Sequence, residues 1–192
     1  MSKLKILIAD DESIIRLGLK TMLTDMGHEV AMAADGREAL KLAHQKQFDF
    51  AIFDVKMPFT DGLEAARALY RHRSMPILLL TAFGDKELIE QAAQLPIQGY
   101  LIKPVIEEQL AASIEVALRR FAENRAAAAK TAELEETIET RKLVERAKGL
   151  LMKQGLGEEE AYQQLQKSAR DQQITLRKAA ETALTALKKT AK

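Results

Sequence analysis

The sequence of 192 residues contains no cysteine, and its apolar runs are short. The lack of cysteine excludes disulfide bonds and thiolate metal sites, which fits a reducing cytosol. None of the apolar runs approaches the roughly 20 residues with which a helix crosses a bilayer. The run that begins at Leu4 meets acidic residues too early for a signal peptide. We therefore expect a soluble, cytoplasmic protein without a membrane segment.

Proline is absent from residues 106–153, where Gly149 is the only glycine. Such a stretch predicts one long helix, because the residues that interrupt helices are missing. Leu134 and Ile138 continue an apolar stripe along it, although the stripe has little bulk. The helix is either a solvated linker or a weak coiled coil that pairs two protomers. The coiled coil is favoured because isolated long helices are marginal in water.

Positive charge is unevenly distributed along the chain. Residues 1–122 hold 15 Lys and Arg against 17 Asp and Glu, a net charge of −2, whereas residues 123–192 hold 14 against 11, a net charge of +3. A basic tail suits an anionic partner such as nucleic acid, and it is also consistent with a solvated helical surface. The three histidines, His28, His44 and His72, lack the spacing of metal ligands, so we expect them at the surface.

Short apolar runs alternate with segments of helical period in the first two-thirds of the chain. The predicted strands are 4–9, 29–34, 48–54, 76–82 and 99–103. The predicted helices are 13–26, 36–46, 62–72, 86–95 and a fifth that begins near Ile106. Five such units predict an α/β fold with a doubly wound parallel sheet, in which the third and fourth strands are buried on both faces.

Polar residues follow these strands where each strand ends. They are Asp10, Asp11, Asp54, Thr81 with Ala82, and Lys103. Ligands of such sheets bind at the carboxyl ends of the strands, so we expect these residues to converge. Singly, Asp10 could cap a helix and Lys103 could be a surface charge, but their joint placement is improbable by chance. Grouped carboxylates suit Mg²⁺, and a carboxylate beside that ion can attack phosphorus, with Lys103 neutralising the phosphoryl charge.

The motifs "ADDE", "FDVKMP", "LTA" and "GYLIKP", at this spacing, resemble a response-regulator receiver domain over residues 1–122. The resemblance implies a flavodoxin-like fold and a phosphoryl group on Asp54 that comes from a sensor histidine kinase. It implies Mg²⁺ bound by Asp11, Asp54 and the backbone carbonyl of Lys56, with Asp10 assisting.

At the phosphoryl group, Thr81 could donate to an oxygen beside Lys103, and Ala82 leaves room for the backbone to approach. The resemblance implies that Thr81 and Tyr100 move together as a switch on phosphorylation. It also implies a cis peptide bond between Lys103 and Pro104. A phosphatase working through an aspartyl phosphate would have a second acid where this chain has Lys56. Lys56 and Phe83 occupy positions that tune dephosphorylation in receivers, so we expect slow loss of the phosphoryl group.

The last third of the chain predicts a small three-helix all-α domain. A turn at 154–157 precedes a helix over 158–171, and a last helix covers about 176–188. The motifs "AKGLLM" and "AYQQL" resemble the ANTAR family, whose members bind RNA hairpins in mRNA leaders and prevent transcription termination. Gln166 and Gln173 depart from the family pattern. The candidate RNA contacts are Lys148, Lys153, Tyr162, Arg170, Arg177 and Lys178, whereas Leu151, Met152, Ala161 and Leu165 are expected to join two helices.

Two other outputs stay open. The helix over 176–188 could instead serve a DNA-binding helix-turn-helix, although the turn before it fits poorly. The tail could also hold a protein partner. An enzymatic output is not expected, because residues 123–192 lack a catalytic cluster. We therefore predict a receiver domain (1–122), a helical or coiled-coil linker (123–134) and an ANTAR domain (135–192) that form a homodimer when phosphorylated.

Overall fold

The computed structural model describes residues 3–82 and 97–190, with backbone only for 187–190. The strands are β1 (Lys5–Ala9), β2 (Glu29–Ala33), β3 (Phe50–Asp54), β4 (Ile77–Thr81) and β5 (Gly99–Ile102). The helices are α1 (Ser13–Asp25), α2 (Gly36–Gln45), α3 (Gly62–His72), α4 (Glu107–Met152), α5 (Glu158–Asp171) and α6 (Leu176–Thr190). These bounds confirm the predicted elements to about two residues. The predicted helix 86–95 and Phe83 lie outside the described residues.

The five strands form one parallel sheet in the order β2-β1-β3-β4-β5. The predicted doubly wound α/β fold is therefore confirmed. β1 lies between β2 and β3, so the chain winds away from β1 in both directions. All residues of β3 and β4 are buried, as their unbroken apolar sequences predicted. This topology sets the carboxyl ends of β1, β3 and β4 side by side at one edge of the sheet.

Successive residues of each central strand point into two different cores, as the period of two requires. Phe50 and Ile52 contribute to the core that α1 and the first turns of α4 cover. Ala51 and Phe53 contribute to the core that α2 and α3 cover. The sheet is thus buried from both sides, which leaves its strand ends as the place where polar side chains meet.

Two compact units are present, Met1–Arg125 and Ala126–Lys192, and α4 contributes to both. Among the described side chains of the second unit, six are buried in one apolar cluster, namely Val144, Ala147, Leu151, Ala161, Leu165 and Ala180. The expected role of Met152 is wrong, since its side chain is 43% exposed. The narrower linker, residues 123–134, remains a prediction. None of the helices in the described ranges is long and apolar enough to cross a membrane.

The surface prediction for His28 is also wrong. Its side chain is buried, and Nδ1 accepts a hydrogen bond from the backbone N–H of Leu4 at 3.4 Å. Burial lowers the pKa of the imidazole, because the charged form loses hydration. His44 and His72 are exposed, as expected, and their rings lie 4.2 Å apart.

Candidate functional site

Three aspartates meet at the carboxyl edge of the sheet. Asp54 ends β3, and Asp10 and Asp11 follow β1, which is the neighbour of β3 with Ala9 opposite Phe53. One oxygen from each of the three carboxylates lies within 4.8 Å of the others. Asp10 is fully buried and Asp54 is 5% exposed, whereas Asp11 is open to solvent. The convergence that strand-end placement predicted is therefore present.

Lys103, which follows β5, reaches across the same edge. Its Nζ lies 2.8 Å from Asp10 Oδ2, 3.2 Å from Asp54 Oδ1 and 3.5 Å from Glu12 Oε1. The side chains of Lys103, Asp10 and Asp54 are 16%, 0% and 7% exposed, so the two ion pairs with the aspartates are shielded from bulk water. The peptide bond that joins Lys103 to Pro104 is cis, as the resemblance implied.

Burial dominates the electrostatics of Asp54. Loss of hydration raises the pKa of its carboxyl group to about 6, and the charges of Asp10 and Asp11 act in the same direction. The ammonium group of Lys103 opposes them. For Lys103 itself, burial lowers the pKa, but the carboxylates of Asp10 and Asp54 outweigh burial and the net pKa is raised. The same burial therefore favours the neutral form of Asp54, whereas the pairing with carboxylates favours the charged form of Lys103.

The residues at this edge fit a hard divalent cation. Asp10 Oδ1 accepts a hydrogen bond from the backbone N–H of Glu12 at 2.9 Å. Asp10 Oδ2 is a buried acceptor that has the Lys103 ion pair but no hydrogen bond of good geometry. An under-coordinated carboxylate oxygen beside two further carboxylates is the kind of donor set that Mg²⁺ takes in proteins. Asp10, Asp11 and Asp54 therefore form a cluster that can hold a metal ion.

The remaining predicted site residues differ in how far they are exposed to solvent. Thr81, which ends β4, is buried, and its hydroxyl donates to the carbonyl oxygen of Ala82 at 3.3 Å. Lys56, two residues beyond Asp54, is exposed. Tyr100 lies on the edge strand β5 with 48% of its side chain exposed.

Gly62 is a site residue that the sequence reasoning missed. A Cβ atom at this position would lie 2.0 Å from the carbonyl oxygen of Asp54, so only glycine fits there. The first turn of α3 can thereby approach the backbone that carries the central aspartate. Asp61 caps this turn, since its side chain accepts from the backbone N–H of Glu64 at 2.7 Å. The pair "DG" eight residues after Asp54 was the signal available for this close approach.

The candidate RNA contacts fall into two groups. Lys153 and Arg170 are exposed. Arg177 and Lys178, in contrast, both contact Glu181 at 3.3 Å. Of the candidate cations, Lys148 is the most enclosed.

Lys148 joins α4 to α5. Its Nζ lies 3.0 Å from Glu145 Oε1 and 2.8 Å from Glu158 Oε1, and its side chain is 12% exposed. The same Nζ lies 6.0 Å from the ring centre of the partly buried Tyr162. These contacts raise the pKa of Lys148, mainly through the hydrogen bonds to Glu158 and Glu145.

Comparison with known proteins separates the same two parts of the chain. Residues 6–115 match the response regulator receiver domain, and residues 132–183 match the ANTAR domain. The transcriptional regulatory protein PdtaR of Mycobacterium tuberculosis is 44% identical over 185 residues, which are 95% of this chain and 90% of that protein.

Two relatives match the first part alone. The chemotaxis protein CheY of Pseudomonas aeruginosa is 38% identical over 121 residues, which are 61% of this chain and 98% of that protein. The crystal structure of CheY4 from Vibrio cholerae superposes with a TM-score of 0.58 at 36% identity, covering 61% of this chain and 100% of that one. Together with the match to PdtaR over nearly the whole length, these findings show that the chain belongs to the two-component response regulators that join a receiver domain to an ANTAR domain.

Proposed function

We propose that this protein accepts a phosphoryl group on Asp54 from a sensor histidine kinase and then binds RNA hairpins in mRNA leaders, so that transcription continues past a terminator. The observation that carries the first half is the buried Asp54 carboxylate beside Asp10, Asp11 and the Lys103 ammonium. The second half rests on the match of residues 132–183 to the ANTAR domain.

In the proposed transfer, an oxygen of the Asp54 carboxylate attacks the phosphorus of a phosphohistidine on the kinase. A phosphorus–oxygen bond forms, the phosphorus–nitrogen bond breaks, and its electron pair returns to the imidazole ring. Lys103 stabilises the phosphoryl oxygens by charge, and the Thr81 hydroxyl and the Ala82 backbone N–H donate hydrogen bonds to them. Mg²⁺, when held by Asp10, Asp11, Asp54 and the backbone carbonyl of Lys56, supplies positive charge that favours the ionised acceptor.

The acyl phosphate on Asp54 is a signal and not an intermediate of hydrolysis. Lys56 stands where a phosphatase of this chemistry would place its second acid, so no built-in general acid or base follows Asp54. Loss of the phosphoryl group is accordingly slow. In this proposal the protein is a regulator without an enzymatic output.

Phosphorylation adds negative charge at the sheet edge and biases two coupled side chains. Thr81 moves toward the phosphoryl group, and the ring of Tyr100, which is exposed without it, turns inward. The altered surface favours a dimer that pairs along residues 106–145, where Leu134 and Ile138 are 51% and 52% exposed. The change is a population shift, so the phosphorylated form must dimerise more tightly than the free form.

RNA is a better partner for the output domain than a DNA duplex. A helix-turn-helix would present α6 to the major groove, and the cations at its start, Arg177 and Lys178, already share Glu181. The exposed cations Lys153 and Arg170 lie outside that helix and suit the irregular backbone of a hairpin loop.

The test compares wild-type protein with Asp54→Ala, each treated with a small phosphodonor and Mg²⁺. Fluorescence anisotropy measures the binding of a labelled RNA with two stem-loops, and a DNA duplex serves as the alternative ligand. We expect at least tenfold tighter RNA binding by phosphorylated wild type and no response in Asp54→Ala. Equal binding by the two proteins would refute the coupling, and preference for the duplex would refute the RNA output.

The dimer is tested separately by sedimentation velocity. Leu134→Glu combined with Ile138→Glu places like charges on the proposed pairing face and should keep the phosphorylated protein monomeric. A control variant, Leu134→Glu with Glu136→Gln, also carries two substitutions but retains Ile138 and leaves the net charge of the helix unchanged. A phosphorylated double variant that still dimerises would exclude pairing through this segment.

A further inference from the structure

Gly149 lies inside α4, in a position where the fold does not require glycine. A Cβ atom there would meet no atom within 4 Å, so no neighbour needs the missing side chain. Its backbone is not left-handed either, unlike that of Gly155 with φ +99° in the following turn. Glycine is the least favourable residue inside a helix apart from proline. A helix-weakening residue without a structural cause suggests that something outside this chain approaches the backbone.

The face of α4 that carries Gly149 is basic. Lys142, Arg146, Gly149 and Lys153 follow the spacing i, i+4, i+7, i+11, which places them on one side of a helix. Lys153 follows the last helical residue, yet its backbone N–H still donates to the carbonyl oxygen of Gly149 at 3.4 Å, so the face continues to it. We call these four residues the basic stripe. The three cations are exposed, and Gly149 forms a gap between two of them.

The cations of the basic stripe are more available than Lys148 on the same helix. Within the described part of the chain, Arg146 and Lys153 form no ion pair, and Lys142 has only an exposed pair with Glu139 at 3.0 Å. Exposed pairs of this kind are weak and yield readily to a competing anion. On the other side of α4, Lys148 is held by Glu145 and Glu158.

The geometry points to the basic stripe as the surface along which the RNA backbone runs, with Gly149 as the point of closest approach. The inference rests on the proposed function, because it takes an RNA strand as the partner. Positions four residues apart on a helix are separated by about 6 Å, a spacing of the same order as that of consecutive phosphates. Arg146 and Lys153 are seven residues apart, about 10 Å along the helix, and contact phosphates on either side of the gap, so that the sugar–phosphate chain passes over the bare backbone between them.

If RNA approaches most closely at Gly149, a substitution there should increase the stability of the helix and decrease the affinity for RNA. Gly149→Ala raises the helix propensity of α4. It therefore raises the melting temperature of the second unit, Ala126–Lys192 (the output unit), by a few degrees. The added methyl group occupies the gap, so the same variant binds RNA at least fivefold more weakly, and Gly149→Leu more weakly still. A residue that merely supports the fold would not show better stability together with poorer binding.

The experiment uses the full chain, phosphorylated with a small phosphodonor, and a labelled two-hairpin RNA that the wild-type protein selects from a random-loop pool. Gly18→Ala is the matched control, since Gly18 lies inside α1 and also has open space at its Cβ position. It should raise the stability of the receiver unit and leave RNA affinity unchanged. Arg146→Gln with Lys153→Gln should weaken binding more than tenfold and flatten the slope of log affinity against log salt by about 1.4. Lys130→Gln, a cation on the same helix paired with Glu133, controls for loss of charge.

The outcomes distinguish the two proposals. If the wild-type chain selects no hairpin, the proposed function fails and the assignment fails with it. If the wild type binds but Gly149→Ala and the double variant bind equally well, only the basic stripe is refuted. A change of oligomeric state in Gly149→Ala, without a loss of affinity per dimer, would also refute it and assign the gap to a second copy of the chain.

Discussion

The two units of this protein use charge in opposite ways. In the receiver unit, Asp10, Asp54 and Lys103 are brought together in a buried cluster, where hydration is lost and the pKa of Asp54 rises to about 6. In the output unit, pairs such as Lys142 with Glu139 lie in solvent, with 64% and 55% of their side chains exposed. Burial shifts the pKa values of charged groups and strengthens their interactions. Exposed ion pairs are weak, so their side chains can exchange partners.

The hydrophobic cores of the two units differ in extent. The receiver sheet is covered on both faces by separate clusters of buried residues, whereas the described side chains of the output unit form one cluster of six buried residues. A buried reactive cluster needs a rigid frame, which a double-sided sheet provides. The output unit has only enough packing to hold three helices together, so we expect it to be the less stable of the two.

The largest expected effect follows from this difference in core size. Leu165→Ala in α5 and Leu69→Ala in α3 remove equivalent buried side chains, and each should cost about 3 kcal/mol. That loss approaches the whole stability of a module of this size, roughly 3–8 kcal/mol, but only part of the stability of the receiver. Calorimetry should show loss of the output transition in Leu165→Ala, while Leu69→Ala retains both. One transition that both variants shift equally would show that the units unfold together.

A smaller effect concerns the buried carboxylate of Asp54. Its folded pKa of about 6 lies above the ordinary value of 3.8, so the folded state binds the proton more tightly than the unfolded state. The stability that protonation provides is present below pH 4 and is lost as the pH rises from 4 to 6. In EDTA, Asp54→Asn should therefore be more stable than wild type at pH 8, by about 1 kcal/mol, and not at pH 4.

The quantity to compare is the difference in free energy of unfolding between the two proteins at each pH. Both proteins keep His28, whose lowered pKa acts with the opposite sign, because stability is lost as the pH falls below 6.5. Its contribution cancels in the difference. Addition of Mg²⁺ at pH 8 should stabilise wild type and have little effect on Asp54→Asn. If Asp54→Asn were less stable at pH 8 in EDTA, the buried carboxylate would not be under electrostatic strain.

The sequence was sufficient to predict the fold and the centre of the chemical site. Unbroken apolar runs such as 50–54 identify buried parallel strands, and strand ends of such sheets converge by topology alone. That argument placed Asp10, Asp54 and Lys103 together without knowledge of any distance. It is reliable because one geometric rule fixes all the strand ends at once.

The errors concern residues whose surroundings depend on distant parts of the chain. His28 is polar and isolated, and nothing near it in sequence reveals that it is buried or that the backbone N–H of Leu4 donates to its ring. Gly62 was missed because its close neighbour is a backbone atom of Asp54. The pairing of Lys148 was not foreseen either, because its partner Glu158 lies ten residues away on another helix; its role as an RNA contact stays a prediction. Periodicity cannot report contacts of these kinds.

The smallest effect tests whether Lys148 belongs to the fold or to the binding surface. Lys148→Met leaves the carboxylates of Glu145 and Glu158 close together without their shared cation, so the melting temperature of the output unit should fall by roughly two degrees at low salt. Lys142→Met removes one exposed pair and should change it by less than about half a degree. Lys148→Arg should restore the wild-type value. If Lys148→Met kept its stability and lost RNA affinity, Lys148 would be an RNA contact, and the division between enclosed and available cations would have to be redrawn.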